Sequence, residues 1–592
     1  MTYILGISAF FHDSSATILC DGNIVAAAQE ERFTRVKQDR SFPVNAIKYL
    51  CDKIGVKLSE IDHIIFYEKP FLKFDRLLET YLSYAPKGWR SYLKAMPLWL
   101  KEKLFQKKII FDELKKIDNS YNNIEKIFFS DHHSSHAASA FFPSPFLESA
   151  ILTLDGVGEW ATSTIALGKF NKIEIKEEIN FPHSLGLLYS AFTYYCGFQV
   201  NEGEYKLMGL APYGKPIYED LITKYLIDIK DDGSYNLNMR YFDYASGLTM
   251  TNSKFDRLFM NKPRKKDDKI TNFYMDIASS IQKVAEDVVL KICRYIKKKY
   301  NTENLCLAGG VALNCVVNGK IIDEKIFKNV WIQPAAGDAG GSLGASLLLW
   351  YDYLNNKREI NIDKDFMKGS FLGPSYSNDE IKSYLKKSNL DFEYFSDELL
   401  FTKVSRLISD GNIIGWFQGR MEFGPRALGA RSILGDPRNS EMQKKMNLKI
   451  KFRESFRPFA PCILEDDLEN WFNTSEKNEY MLVVSSIIEK RRIKPNWSLN
   501  GLKKLNFAYS DIPAVTHVDY SARVQTVSKK NIRLYNLLKA FKELTNCPVL
   551  INTSFNLNGE PIVMTPEDAC KCFLKTNIDY LVLENFLVKK VM

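Results

Sequence analysis

Two stretches of this chain share one design, and no other feature restricts its fold as much. "YILGISAFFHDSSATILCDGNIVAAAQEERF" (3–33) opens with an apolar run, breaks at a polar turn and resumes with "SATILCDGNIVAAA". Asp21-Gly22-Asn23 then separates two alternating apolar segments, a strong hairpin signal. About 145 residues later, "AILTLDGVGEWATSTIALG" (150–168) repeats the pattern: a strand ending in Asp155-Gly156, a glycine-containing turn and a returning strand. Two such units predict a duplicated fold in which each polar turn can wrap backbone N–H groups around an anion. A third element, "NLCLAGGVALNCVVNGKI" (304–321), reads as a buried strand ended by Gly309-Gly310, with a helix start after it. Paired glycines there let backbone approach a ligand closely.

The remaining composition narrows the class. At 592 residues the chain has room for roughly four domain-sized units, fewer if they are large. With 45% hydrophobic and 13% aromatic residues, disordered and fibrous classes are excluded. The net charge of +9 suits phosphate-bearing substrates, while "NKPRKKDDKI" (261–270) reads as a solvated loop. Ten scattered cysteines, whose closest pair is Cys570 and Cys572, have neither zinc-ribbon nor redox spacing and fit reduced thiols. The first residues lack a basic leader, and no apolar run reaches the roughly 18 residues of a membrane span. The expectation is a soluble, cytoplasmic protein without a membrane partner.

Histidine is concentrated: three of the seven lie in "SDHHSSHAASAFFPSPF" (130–146). His132 and His136 are four apart and share one face of a helix, whereas His133 points about 100° away. No glutamate follows the first histidine, so this is not the zinc-peptidase motif. "VWIQPAAGDAGGSLGAS" (330–346) presents Asp338 on a loop of small residues. Two histidines and a carboxylate with open positions describe a site for Fe(II), with Zn or Mn as alternatives. Asp155, at the tip of the second hairpin, is either a fourth ligand or a turn residue satisfying its own backbone. His12, in the first hairpin turn, is an acid/base candidate.

A boundary is expected within 355–376, where a polar run and Gly-Pro interrupt the periodicity. Beyond it, "GNIIGWFQGRMEFGPRALGARSILGDPR" (411–438) sets Arg420, Arg426, Arg431 and Arg438 among glycines. "KIKFRESFRPFAP" (449–461) adds Lys449, Lys451, Arg453 and Arg457, and "LINTSFNLNGEPIV" (550–563) adds amides and hydroxyls. Guanidinium forks on such loops suit phosphate. The alternative is a basic face for a partner or RNA, but these charges do not form a helix stripe or an RNA-binding motif. Segment 70–127 reads as two or three amphipathic helices, which either pack or shape an acceptor pocket.

In this order the hairpins and the glycine pair resemble the actin-like ATPase fold. "HHSSHAASAFF", "LTLDGVGEW", "GEYKLMGLAPYG", "LAGGVALNCVVN" and "QPAAGDAGGSLGA" resemble the Kae1-like half of the NodU/TobZ/CmcH family of O-carbamoyltransferases. The second half is similar to that family's YrdC-like domain. The resemblance implies an α/β chain: an actin-like ATPase (duplicated RNase H-like) Kae1-like domain over 1–365 and an α/β YrdC-like domain over 366–592. It implies metal ligands at His132, His136, Asp155 and Asp338, transfer-site residues at His12 and Lys37, and nucleotide contacts at Gly309, Gly310 and Asn314. In the second half it implies that Arg426, Lys451, Arg457, Arg523 and Ser554, with Arg420 of the arginine loop, hold ATP and carbamoyl phosphate. The implied activity is ATP-dependent O-carbamoyl transfer through carbamoyl adenylate, with Mg accompanying ATP and a hydroxylated small molecule as acceptor. Nucleic acid is not an expected partner, and a homodimer is left open. A tRNA threonylcarbamoyl transferase and a sugar kinase of the same superfamily are the competing readings.

Overall fold

The computed structural model describes residues 1–102, 105–361, 364–388, 390–494 and 499–590. They form two units, one of residues 1–30 and 39–366, the other of residues 31–38 and 367–592.

The first unit carries the same sheet twice. β1 (Tyr3–Ser8), β2 (Ser15–Cys20), β3 (Asn23–Gln29), β4 (His63–Phe66) and β5 (Ile127–Phe129) pair in the order β3-β2-β1-β4-β5. β1 runs antiparallel to β2 and parallel to β4, so it is central and almost wholly buried, which accounts for its apolar run. Between β2 and β3, Asp21 and Gly22 both take positive φ (46° and 77°), as a tight type I′ hairpin requires.

The second sheet uses β6 (Glu148–Leu154), β7 (Ala161–Lys169) and β8 (Lys172–Asn180). After a small hairpin of β9 (Ile227–Ile229) and β10 (Tyr235–Leu237), it adds β11 (Asn304–Ala308) and β12 (Asn329–Ile332). Its order, β12-β11-β6-β7-β8, is the first sheet's order read from the other edge. Three antiparallel strands followed by two parallel ones, twice over, make the duplicated arrangement of the actin-like ATPase fold. Segment 70–127 forms three helices, Pro70–Tyr84, Trp89–Glu102 and Gln106–Ile117.

The second unit is a separate α/β domain on one nine-stranded sheet. Its strands are β13 (Phe392–Tyr394), β14 (Ile414–Phe417), β15 (Arg431–Gly435), β16 (Ala460–Leu464) and β17 (Val483–Ser486), then β18 (Ser521–Val527), β19 (Val549–Ser554), β20 (Tyr580–Leu583) and β21 (Phe586–Lys589). They pair in the order β13-β21-β20-β14-β15-β19-β16-β18-β17. Residues 31–38, placed by sequence in the first domain, fold with this unit. Arg32 donates to the Gly424 carbonyl and Arg35 to the carbonyls of Pro561 and Ile562, while Phe33 packs on Met421, Ala427, Ile562 and Met564.

Candidate functional site

The helix His132–Phe141 follows β5 and is anchored at both ends. At its start, Glu159 from the second hairpin accepts the His132 N–H on both carboxylate oxygens (3.0 and 3.1 Å) and the Lys69 N–H on Oε1 (2.7 Å). A carboxylate there complements the positive end of the helix dipole. Past its end, Arg358 donates to the carbonyls of Phe141, Phe142, Ser144 and Phe146 and lies over the Phe141 ring at 4.3 Å. Asp338 opens a second helix, Ala339–Leu348, whose Gly344 packs directly on the backbone of the first. A Cβ on Gly344 would stand 1.8 Å from the Ser135 carbonyl oxygen, so only glycine permits this approach.

That packing brings four ligand atoms together. His132 Nε2 lies 3.1 Å from His136 Nε2 and 3.1 Å from Asp155 Oδ2. Asp338 Oδ1 lies 3.6 Å from His136 Nε2 and 3.7 Å from His132 Nε2. All four donors fall within 4.8 Å of one another, the one such cluster among the described residues. Ligands about 2.1 Å from a shared ion stand roughly 3.0 Å apart at octahedral and roughly 3.4 Å apart at tetrahedral angles, so this donor set fits a divalent cation. The Gly309-Gly310 turn orients one ligand, because the Gly310 N–H donates to Asp155 Oδ1 at 2.9 Å. Gly309 itself sits at φ 88°, with Leu154 backbone where a Cβ would go.

A buried carboxylate, Asp338, and a half-buried one, Asp155, demand compensating positive charge, and the titration of the cluster reflects that demand. Burial alone would raise Asp338, but His12 and the two ligand histidines hold it down at about 2, and Asp155 lies well below the usual range for similar reasons. Burial works against a charged His132, yet its hydrogen bond to Asp155 and the charge of Asp338 lift it to about 9. His133 behaves differently. Burial, with His132 and His136 beside it, pushes it down to about 3, and its Nδ1 pairs with Thr153 Oγ1 at 2.6 Å. It is a neutral packing residue outside the donor set. His12 stands at the edge, Nε2 3.6 Å from Asp338 Oδ2 and Nδ1 3.3 Å from Asp13 Oδ2.

The remaining candidates distribute unevenly. Asn314 caps the helix Cys315–Asp323 and exchanges hydrogen bonds with Gln282. Lys37 belongs to the segment that folds with the second unit, so His12 and Lys37 lie in different units.

In the second unit, the arginine loop expected to hold phosphate is partly spent on the fold. Arg420 donates to the carbonyls of Leu372 and Gly373. Arg431 is fully buried, donates to the carbonyls of Gln418, Gly419, Ala430 and Pro374, and lies 3.5 Å over the Phe417 ring. Arg438 pairs with Asp436 two residues away. Glycines expose the backbone, and exposed carbonyls attract guanidinium groups.

Lys451 is hydrogen-bonded within the unit as well, but it is buried without a counter-charge among the described residues. Its Nζ is buried, donates to the Ser554 carbonyl and to Ser554 Oγ (3.2 Å), and reaches the Asn556 carbonyl (3.1 Å) and Asn556 Oδ1 (2.8 Å). Burial, with the charges of Arg453 and Arg457, pushes its pKa well down, and among the described residues no carboxylate pairs with it. Arg457 stands 3.8 Å from Glu454, and Arg523 projects from β18 beside β17. Arg426 is in the loop between β14 and β15. The Lys449 side chain lies outside the described residues.

Sequence reasoning overlooked Glu159, Arg76 and Arg358. Arg76 donates to the Gly158 carbonyl in the turn that carries Glu159. The one local hint was an acidic residue in the same glycine-rich turn as Asp155; its partner, the His132 N–H, is 27 residues away in the chain.

Family profiles match both halves: the carbamoyltransferase N-terminus over residues 3–347 and the carbamoyltransferase C-terminus over residues 405–590. A Synechocystis protein, sll1178, is 56% identical over all of this chain and 97% of its own length. The nodulation protein NolNO of Sinorhizobium fredii is 35% identical over 98% of this chain and 80% of its own. Among solved structures, the (R)-2-hydroxyglutaryl-CoA dehydratase component A of Acidaminococcus fermentans aligns with 59% of this chain and 98% of its own, at 15% identity and a TM-score of 0.31. That last similarity says nothing about function. The two matched halves, in order and together spanning most of its length, make this chain a member of the carbamoyltransferase family, akin to the NodU, NolO and NolNO nodulation proteins, and an enzyme.

Proposed function

We propose that this carbamoyltransferase works in two steps: it makes carbamoyl adenylate in the second unit and transfers the carbamoyl group to an acceptor hydroxyl in the first. The observation that carries the reading is the joining of His132, His136, Asp155 and Asp338 into one donor set with His12 at its edge. In the first step carbamoyl phosphate, water and ATP yield carbamoyl adenylate, phosphate and pyrophosphate. Lys451, held by Ser554 and Asn556, would donate to phosphoryl oxygens, and a bound polyanion would restore the charge that burial and the neighbouring Arg453 and Arg457 disfavour. Arg426 and Arg523 are the further candidates for the polyanion, and Mg would accompany ATP.

In the second step the acceptor oxygen bonds to the carbamoyl carbon, the carbon–oxygen bond to AMP breaks, and the hydroxyl proton passes to His12, which must be neutral to take it. Burial favours the neutral ring, but Asp338 and Asp13 raise His12 to about 9, and a cation on the four donors would offset the Asp338 charge that does so. Asp13 and Asp338 flank the two His12 nitrogens and keep the ring in place. His132, His136, Asp155 and Asp338 would hold a divalent cation, Fe(II) as first choice with Zn or Mn as alternatives. When bound it supplies Lewis acidity beside the carbonyl. The Gly310 N–H fixes Asp155, while Gly309 lets backbone come close to a nucleotide.

The test separates the steps. The protein is incubated with ATP, carbamoyl phosphate and a panel of hydroxylated metabolites; pyrophosphate is measured, and products are searched for a mass gain of one carbamoyl group. His12→Ala should still release pyrophosphate yet carbamoylate nothing. Chemically supplied carbamoyl adenylate should rescue an Arg426→Ala variant and leave His12→Ala inactive. Rescue of neither variant sinks the two-step scheme.

A further inference from the structure

The helix Trp89–Glu102 has an inner and an outer face of different character. Inward, Ser91 donates to the Ser246 carbonyl and Tyr92 meets Tyr81 edge to face at 5.3 Å, while Met96, seven residues after Trp89, is buried at the border of the two faces. Outward, Trp89, Leu93 and Leu100 are 59%, 60% and 44% exposed. Spacings of four and seven residues put these three on one stripe within about 40° of arc. Leu82 before the helix and Phe105 after it are also exposed. Burial of apolar area is what folding gains, so a soluble helix that turns such a stripe to water has no reason in the fold of this unit.

The charge around the stripe is one-sided. Residues 87–108 hold seven basic side chains and one acidic one, Glu102; two of the seven, Lys107 and Lys108 of the next helix, pair with Glu125 and Asp112, which leaves five basic residues against one acidic one. Arg90 and Lys94 are exposed on the flank of the stripe, as is Lys87 just before the helix. Tryptophan and leucine on one side with lysine and arginine beside them form the pattern of a helix that lies in a membrane interface. Apolar side chains enter the headgroup boundary while basic ones meet lipid phosphates. A polyanion such as RNA would use the charge but leave the leucines unused, because aliphatic side chains do not stack on bases.

We infer that this helix docks the protein peripherally on an anionic lipid surface. Such docking needs no spanning segment, and among the described residues no helix is long and apolar enough to cross a membrane. The inference does not rest on the two-step scheme.

The test uses the full chain and vesicles of phosphatidylcholine with roughly one third phosphatidylglycerol, against vesicles of phosphatidylcholine alone. Co-sedimentation should be at least about tenfold stronger with the anionic vesicles and should fall as salt is raised. W89E/L93E should lose that binding while keeping its melting temperature and its pyrophosphate release; R90E/K94E should lose it too, through charge alone. Equal binding to both vesicle types would overturn the proposal, as would undiminished binding by W89E/L93E. A dimer in solution that W89E/L93E converts to monomer would mean that a second copy covers the stripe. RNA binding without vesicle binding would mean that the charge serves a nucleic acid. Either result also overturns it.

Discussion

The histidine helix and the arginine loop both concentrate side chains able to bind a ligand, and the structure treats them in opposite ways. In "HHSSH", two of three imidazoles point at two carboxylates, and the four donors face each other. In "GRMEFGPRALGARSILGDPR", Arg420 turns to the carbonyls of Leu372 and Gly373, Arg431 to those of Gln418, Gly419, Ala430 and Pro374, and Arg438 to Asp436 two residues away. The difference lies in what the backbone leaves open. A helix satisfies its own carbonyls, so its side chains are free to converge on something else. A glycine-rich loop has many unpaired carbonyls, and a guanidinium with five donors is the side chain best suited to satisfy them. Density of chemically capable residues therefore marks a site only where secondary structure has already met the backbone's needs.

The largest effect should come from the helix. His132→Ala and His136→Ala should each lose bound metal and transfer activity entirely, while His133→Ala keeps its metal. Elemental analysis of purified variants checks this, and full occupancy in both ligand variants would break the comparison at its stronger end. Next is Lys451. Lys451→Met should lower pyrophosphate release by about a hundredfold or more, through loss of one donor to phosphoryl oxygens, with metal content unchanged. Normal pyrophosphate release would place the activation chemistry elsewhere.

Arg431→Met should act on stability rather than chemistry. It removes four hydrogen bonds, among them the one to the buried Gln418 carbonyl, and the contact with the Phe417 ring, so roughly 2–4 kcal/mol of unfolding free energy should disappear in denaturant titration. A stable Arg431→Met that fails to release pyrophosphate would return the whole arginine loop to substrate binding. The smallest effect is expected for Arg438→Ala. Its pair with Asp436 is partly exposed and screened, so about 0.5 kcal/mol or less should be lost, measured in the same way.

What the sequence determined by itself was local. Alternating apolar runs around Asp21-Gly22 and Asp155-Gly156 specified two hairpins, since strand period and turn chemistry need only neighbouring residues. The four-residue spacing of His132 and His136 specified a shared face, and the small residues after Asp338 allowed a carboxylate to be reached. Other choices belonged to the tertiary structure alone. Where the Asp155 carboxylate points depends on the turn after β11, which brings the Gly310 N–H to one oxygen and leaves the other beside His132. Glu159 acquired its role when the second hairpin met the start of the histidine helix. Residues 31–38 joined the second unit because Arg32 and Arg35 found carbonyls about 390 and 527 positions away. Which arginine binds a ligand and which closes a loop depends on the acceptors that remain once the chain has folded, and a donor's neighbours in sequence do not record its neighbours in space.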